Sequence, residues 1–165
     1  LPDLDEYDLI IGLSLINFLE DIPSFLKQLK NILTKDGLLL TSFFSENNIL
    51  ELKDLFSRVE LNIYNGISQR FMPIIDIREV GDLINNIGFF DTVITRERLE
   101  YKYENFNEMV SHLRLMAYTN FLDVKNNKFI TKHFINSLVN DFEKNKTNSL
   151  FKLSFDILII NSWNK

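Results

Sequence analysis

The pattern of apolar and polar residues predicts a strand, helix and strand near the start of the chain. Leu9, Ile10 and Ile11 form an apolar run without alternation, which is typical of a strand with both faces covered. Pro23 then begins a helix whose apolar residues recur at intervals of three and four. We expect this helix to end at residues 35–37, with Gly37 in a left-handed conformation, before a second strand at 38–44. Such a unit almost always winds right-handed into a parallel sheet.

The periodicity further along the chain predicts four more helices and two more strands. The helices are expected at residues 45–64, beginning with capping residues, and at 77–87, 105–118 and 131–144. Gly88 should end the second of these helices. A long, partly exposed strand is expected at 89–103 and a last buried strand at 150–163. We expect a mixed sheet in which the last strand lies antiparallel between the second strand and the long one.

Composition limits the class of protein. A chain of 165 residues that is 45% hydrophobic and 25% charged is expected to form one globular domain over residues 1–165. Its net charge of -5, without a clustered basic face, argues against nucleic-acid binding. No apolar run approaches the roughly 18 residues of a membrane helix, and the start lacks a targeting pattern, so we expect a soluble, cytoplasmic protein. The absence of cysteine excludes disulfides and thiolate metal sites.

The patterns that could indicate chemistry are weak when they are taken one at a time. His112 and His133 lie on separate predicted helices, so a metal site is not expected. Gly12, Leu13 and Ser14 follow a strand as in a nucleophile elbow, but the second glycine is absent and a structural serine is favoured. No glycine-rich phosphate loop is present. These patterns alone indicate an α/β domain without identifying its reaction.

An ordered series of motifs resembles class I S-adenosylmethionine-dependent methyltransferases over essentially the whole chain. The segments that carry the resemblance are Leu-Pro at 1–2, YDLII at 7–11, INFLED at 16–21, LKNILTKDGLL at 29–39, FFSENNILELK at 43–53, RFMP at 70–73, DIREVGDL at 76–83, IGF at 87–89, MAYTN at 116–120 and IINSW at 159–163. Their combination resembles the branch that contains the malonyl-carrier-protein methyltransferases of biotin synthesis and the NDUFAF-type assembly factors of respiratory complex I. We therefore expect the carboxyl-terminal part of a Rossmann-like fold.

The resemblance implies a location for the cofactor and for the first part of the sheet. In the family the strand order is 3-2-1-4-5-7-6, and S-adenosylmethionine binds beyond the carboxyl ends at the switch point. The strands of this chain would be 4, 5, 7 and 6, and the glycine-rich cofactor loop would precede Leu1. The implied cofactor-binding residues are Leu1, Pro2, Gly12, Leu13, Asn17 and Phe18, and the implied substrate rim contains Asn47, Asn48 and Arg70. Without that loop, this chain alone is expected to bind the cofactor weakly or not at all.

Two classes of function remain open at this stage. Asn17 and Phe18 stand where the family often has histidine and tryptophan, and Asn47 and Asn48 replace an Asp-Thr pair. Because asparagine cannot act as a base near neutral pH, no catalytic residue is assigned. The first class is half of a methyltransferase that acts on a small-molecule, carrier-protein or protein acceptor and is inactive as this chain alone. The second is a non-catalytic assembly or interaction protein of the complex I type.

The first strand is expected to lie at an edge of the sheet in this chain. Edge strands present free main-chain donors and acceptors that recruit another strand. We therefore expect the edge to pair with a second copy of the chain, or to be covered by the chain's own helix or by residues 1–7.

Overall fold

The computed structural model describes residues 6–14, 19, 21–68, 70–71, 74, 76–116, 118 and 130–165. The strands in these residues are β1 Tyr7–Leu13, β2 Leu33–Phe44, β3 Phe90–Tyr103 and β4 Phe151–Asn164. The helices are α1 Ile22–Asn31, α2 Leu50–Tyr64, α3 Ile77–Ile87, α4 Phe106–Leu115 and α5 Lys132–Lys144. Every strand and helix predicted from periodicity is therefore present, with differences at some of the ends.

The four strands form one mixed sheet in the order β1-β2-β4-β3. β1 is parallel to β2, with Leu9 opposite Leu38, and α1 is the crossover between them. β4 is antiparallel to β2, with Ile157 opposite Phe44. The predicted strand order and the antiparallel insertion of the last strand are confirmed.

The helix α1 is shorter than predicted. Asp21 caps its first turn by accepting a hydrogen bond from the Ser24 N–H at 3.0 Å. The helix ends at Asn31 and β2 begins at Leu33, because pairing with β1 already starts there, where the Tyr7 N–H donates to the Ile32 carbonyl at 2.8 Å. The expected helix end at residues 35–37 was therefore wrong.

The predicted left-handed glycine is also in a different place. Asp36 has a φ of 62°, whereas Gly37 is not among the residues with positive φ. A side chain at Gly37 would be crowded for another reason, since a Cβ atom there would lie 3.0 Å from the Thr34 carbonyl oxygen and 3.1 Å from Leu33 Cδ2. Gly88, by contrast, ends α3 with a φ of 91°, as predicted.

The edge strand β1 is more exposed than its apolar sequence suggested. Leu9 is 49% exposed and Ile11 is 56% exposed. The described residues therefore cover the face of β1 that carries these two side chains only in part. Ile10 packs against the core on the other side. Pairing of this edge with a second copy stays a prediction, and residues 1–5 lie outside the described residues.

The chain divides into two compact units by the contacts between its Cα atoms. The first unit contains Leu1–Asn48, Ile74–Leu99 and Asp156–Lys165, and its core includes Leu26, Leu39, Phe43, Ile84 and Leu158. The second unit contains Ile49–Pro73 and Glu100–Phe155, and its buried side chains include Leu55, Met109, Phe134, Phe142 and Leu153. The expectation of one domain over the whole chain stays a prediction.

The side chain of Asn164 joins the end of β4 to the turn between α1 and β2. Its amide Nδ2 donates to the carbonyl oxygens of Leu33 at 2.9 Å, Thr34 at 3.2 Å and Lys30 at 3.3 Å. These carbonyls lie where the helix ends and the strand begins, so the amide satisfies acceptors that a helix end leaves open.

Candidate functional site

Hydroxyl groups of β2 hold the carboxyl end of β1. Thr41 Oγ1 donates to the Gly12 carbonyl at 2.7 Å, and the Ser14 N–H donates to Ser42 Oγ at 3.1 Å. Ser14 turns the chain with a φ of 53°, while Leu13 is 73% exposed. Gly12 and Leu13 therefore lie at the carboxyl edge of two parallel strands, where open α/β sheets bind ligands.

A cluster of charged side chains lies beside the carboxyl end of β2, which we call the edge cluster: Ser45, Glu46, Arg96 and Asp156. Arg96 Nε donates to both carboxylate oxygens of Asp156 at 2.9 Å, and Arg96 Nη2 forms an ion pair with the same group. Ser45 Oγ donates a further hydrogen bond to Asp156, and Arg96 Nη2 lies 3.5 Å from Glu46 Oε1. The Asp156 carboxylate is buried and the Arg96 side chain is 41% exposed.

The charges of the edge cluster stabilise one another. The hydrogen bond from Arg96 lowers the pKa of Asp156 below its ordinary value, and the bond from Ser45 adds to this effect against the cost of burial. The same hydrogen bond raises the pKa of Arg96. Because both groups stay ionised near neutral pH, neither is suited to exchange a proton with a substrate there.

The turn that follows β2 is tied to β4. Asn48 is buried, and its Oδ1 accepts the Asp156 main-chain N–H at 2.9 Å. The Ser45 N–H donates to the Asp156 carbonyl at 2.9 Å. These bonds explain why α2 begins at Leu50 and not at residue 45, since the expected capping side chains are used by β4. Ile49 occupies the cap position with a φ of 50° and without a side-chain hydrogen bond.

The three residues predicted for the substrate rim have different surroundings. Asn47 is exposed and its Nδ2 donates to Glu46 Oε1 at 2.8 Å, so it remains the candidate for a rim. Asn48 is fully buried against β4, as described above. Arg70, in the second unit, is 6% exposed, and its Nε donates to Glu60 Oε1 at 2.6 Å. Asn48 and Arg70 are therefore buried, whereas residues of a substrate rim are expected to be exposed.

The carboxylate of Glu60 is the centre of a second cluster, which we call the interior cluster: Glu60, Ser68 and Arg70. Glu60 is 1% exposed and accepts hydrogen bonds from the Ser68 N–H at 2.6 Å and from Ser68 Oγ. Burial alone would raise the pKa of Glu60, but the hydrogen bonds from Ser68 and Arg70 outweigh it and lower the pKa. The Arg70 guanidinium lies over the Phe134 ring, 4.7 Å from its centroid.

The remaining predicted cofactor residues, Leu1, Pro2, Asn17 and Phe18, lie outside the described residues. Within the part of the chain that the structure describes, no group of three or more histidine, aspartate or glutamate side chains could hold a metal ion. In the same residues, none of the helices combines the length and the apolar character needed to cross a membrane.

Sequence reasoning did not identify the edge cluster. Asp156 interrupts an apolar stretch of β4, and a buried carboxylate in such a strand needs a partner, so this signal was available.

A second missed feature is the hydrogen bond of 2.5 Å between the Tyr103 hydroxyl and His112 Nδ1 in the second unit. Burial, together with Tyr101 and Glu108, raises the pKa of Tyr103 to about 12.

Comparison with solved structures defines the class of fold. A provisionally named methyltransferase of Bacillus halodurans superposes with a TM-score of 0.54 at 11% identity, covering 99% of this chain and 67% of that one. The YcgJ protein of Bacillus subtilis gives a TM-score of 0.56 at 8% identity, covering 100% of this chain and 67% of that one. The chain has the Rossmann-like α/β fold of these two structures, which confirms the predicted fold class.

Sequence relatives narrow the comparison, although no family model matches the chain. The arginine-hydroxylase NDUFAF5 of Dictyostelium discoideum is 23% identical over 158 residues, which is 94% of this chain and 36% of the relative. A provisionally named methyltransferase of Rickettsia prowazekii is 26% identical over 87% of this chain and 65% of its own length. A malonyl-[acyl-carrier protein] O-methyltransferase of Gallionella capsiferriformans is 21% identical over 90% of this chain and 49% of its own length. The resemblance to this branch is confirmed.

The chain is shorter than these relatives. It spans about a third of the length of the Dictyostelium protein and just under two thirds of the Rickettsia protein. What the relatives do as whole proteins is therefore a matter of proposal for this chain.

Proposed function

We propose that this chain is the carboxyl-terminal half of an S-adenosylmethionine-dependent methyltransferase that transfers a methyl group to a carboxylate or protein acceptor. When bound, the cofactor supplies an electrophilic methyl group on a sulfonium centre. Gly12 and Leu13 would hold one side of it, together with Leu1, Pro2, Asn17 and Phe18. The fixed main chain at Gly12 and the exposed apolar side chain of Leu13 suit this role, because they offer a rigid surface to an apolar part of the cofactor.

The edge cluster is the observation that carries the proposal. Methyl transfer is an in-line displacement, so the protein contributes mainly the alignment of the acceptor. Arg96 is half-exposed at the carboxyl edge and is held in place by buried Asp156. An acceptor carboxylate would take the place of Glu46, whose Oε1 lies 3.5 Å from Arg96 Nη2. Such an acceptor is already ionised near neutral pH and needs no general base. The ionised state of Asp156 and Arg96 agrees with an acceptor of this kind.

Calorimetry tests the cofactor part of the proposal. S-adenosylmethionine and S-adenosylhomocysteine would be titrated into this chain and into the longest polypeptide that its gene encodes. We expect saturable binding to the longer polypeptide and weak or no binding to the 165 residues alone. Low-micromolar binding by the 165 residues would overturn the view that the cofactor needs residues outside them.

Transfer of a labelled methyl group tests the acceptor. The longer polypeptide would be incubated with labelled cofactor and a malonyl carrier protein, with the acetyl carrier protein as the control that lacks a free carboxylate. We expect label in an ester with the malonyl form only, and Arg96→Gln should raise the KM for this acceptor. Transfer to both forms would contradict a carboxylate acceptor.

A non-catalytic role in the assembly of respiratory complex I is the second candidate. It follows the resemblance to the complex I branch. The relative matched over 94% of this chain is named the arginine-hydroxylase NDUFAF5, which favours a role without methyl transfer. Cells that lack the gene would then lose assembled complex I, while the longer polypeptide would show no methyl transfer. Rescue by a variant that no longer binds the cofactor would favour this role, and failure of that rescue would favour the enzyme.

The cytoplasmic location and the pairing of β1 with a second copy also belong to the proposal. Cell fractionation tests the first. Light scattering across a concentration series tests the second, with Ile11→Lys as the variant that should abolish a dimer formed through the exposed edge.

A further inference from the structure

The second unit contains an apolar cavity of about 210 Å³ that no part of the proposed function uses. Its walls come from α2, α4 and α5 and include Phe56, Phe106, Met109, Leu113 and Leu138. Met109 is fully buried, and Leu113 and Leu138 are nearly so. An engineered apolar cavity of about 150 Å³ takes up benzene. This cavity can therefore hold an apolar group somewhat larger than a benzene ring.

Among the residues that the structure describes, one cationic side chain lines the same cavity. Arg114 lies in the last turn of α4 and is exposed to solvent. Within the described residues its guanidinium forms no ion pair. This differs from Arg58, Arg70 and Arg96, each of which is bound to a carboxylate. Among the described residues, the cavity thus combines apolar walls with one charge that has no ion-pair partner.

The chemistry of these two features defines a class of ligand. The walls favour hydrocarbon, and a planar guanidinium binds a carboxylate through two parallel hydrogen bonds. We propose that the cavity binds a molecule with an apolar ring or chain of about six to eight carbons and one carboxylate, which Arg114 recognises. Neither the cofactor nor the edge cluster contributes to this site, so ligand binding here is independent of the proposed methyl transfer.

Octanoate is the probe for the test. It would be titrated into this chain and into the longest polypeptide of the gene, without S-adenosylmethionine, and followed by calorimetry. Labelling the methionine methyl groups with 13C adds a local reporter, because Met109 lines the cavity and Met116 does not. We expect saturable binding that shifts the Met109 signal and leaves the Met116 signal in place.

Matched variants separate the charge from the cavity. Arg114→Gln should weaken octanoate binding by roughly fivefold to tenfold and leave octanol binding unchanged, since only the acid uses the guanidinium. Arg78→Gln is the control, because Arg78 is an exposed arginine on α3 that does not line the cavity. Val110→Trp should fill the cavity and abolish the binding of both probes. Circular dichroism and the melting temperature would show that each variant is folded.

Several results would overturn the proposal. The first is the absence of a Met109 shift at saturating octanoate. The second is equal binding of octanoate and octanol with no effect of Arg114→Gln. The third is an effect of Arg78→Gln as large as that of Arg114→Gln. Because no cofactor is present in these titrations, failure here is distinguishable from failure of methyl transfer.

Discussion

The edge cluster and the interior cluster use the same three groups in different surroundings. In each, an arginine binds a buried carboxylate that also accepts a serine hydroxyl, with Arg96, Asp156 and Ser45 in the first unit and Arg70, Glu60 and Ser68 in the second. The Arg96 side chain is 41% exposed, whereas the Arg70 side chain is 6% exposed. Only the edge cluster therefore offers its cation to solvent.

This difference separates a structural role from a binding role. When both charges are buried, neither can exchange its partner for water, and the loss of one leaves the other uncompensated. When the cation reaches solvent, its buried partner fixes its position while part of the guanidinium stays available to a ligand. We therefore expect substitutions in the interior cluster to affect mainly the free energy of unfolding. Substitutions in the edge cluster should affect mainly the binding of the acceptor.

The largest effect is expected from Arg70→Met, which leaves the buried Glu60 carboxylate without its cation. Breaking such a pair costs about 3–5 kcal/mol in the free energy of unfolding, measured by urea denaturation. Arg58→Met is the control, because the pair of Arg58 and Asp141 is partly exposed and its loss should cost at most about 1 kcal/mol. Equal losses in the two variants would show that Glu60 becomes hydrated when Arg70 is replaced. Burial would then not determine the cost of breaking these ion pairs.

A smaller loss is expected from Asp156→Asn in the edge cluster. The amide keeps the shape of the side chain but loses the charge that binds Arg96, and a hydrogen bond to a charged group is worth about 2 kcal/mol. Because Arg96 can be hydrated once its partner has lost its charge, Asp156→Asn should cost less than Arg70→Met in the same urea measurement. An Asp156→Asn loss as large as that of Arg70→Met would remove the distinction.

Acid should reduce the contribution of both clusters to the free energy of unfolding. The expected loss is smaller than that of Arg70→Met and larger than that of the serine variants below. The pKa values of Glu60 and Asp156 are lowered from ordinary values of 4.5 and 3.8, so the unfolded chain binds more protons than the folded one in mild acid. Their contribution to the free energy of unfolding is fully present above the ordinary values and is lost as the pH falls below 4.5 and 3.8 and through the lowered pKa values. Urea midpoints across this range should fall less steeply for Glu60→Gln and for Asp156→Asn. An unchanged slope in either variant would contradict the assignment of that group.

The smallest effects are expected from the two serine hydroxyls. Each substitution removes a hydroxyl that donates to a carboxylate, and the carboxylate keeps its arginine, so Ser68→Ala should cost about 1 kcal/mol. Ser45→Ala should cost slightly more, because Ser45 Oγ also accepts the Asn47 N–H at 3.2 Å and Arg96 Nη2 at 3.5 Å. Thermal unfolding of the two variants compares them. Ser57→Ala is the control, because among the described residues the Ser57 hydroxyl bonds to the Lys53 carbonyl and to no carboxylate. A loss at Ser68 that exceeds that of Arg70→Met would place the main stabilisation in the hydroxyl.

The sheet could be predicted from sequence because its signals are local. The apolar run at residues 9–11 and the helical spacing after Pro23 identify a crossover unit without knowledge of distant contacts. The capping box of Asp76 and Glu79 with Gly88 defines both ends of α3 for the same reason. The order of the strands followed from the resemblance of the whole series of motifs to one family.

The sites that were missed depend on contacts between distant parts of the chain. Ser45 and Asn48 have the composition of a helix cap, but β4 supplies partners more than 100 residues later and the helix begins at Leu50. The sequence predicts that Arg70 lies in a loop. Its side chain is buried because it binds the Glu60 carboxylate and packs over the Phe134 ring. A pattern read along the chain cannot identify such partners, so only the resemblance places Asn48 and Arg70, and it places them at a substrate rim.

The amide of Asn164 implies a boundary for trimming the chain. Carboxypeptidase digestion of the folded 165-residue chain should remove Lys165 and then slow, because Asn164 holds the carbonyls of Lys30, Leu33 and Thr34. Removal of Asn164 would release those three acceptors at once, so a shortened version intended for crystallisation should keep this residue.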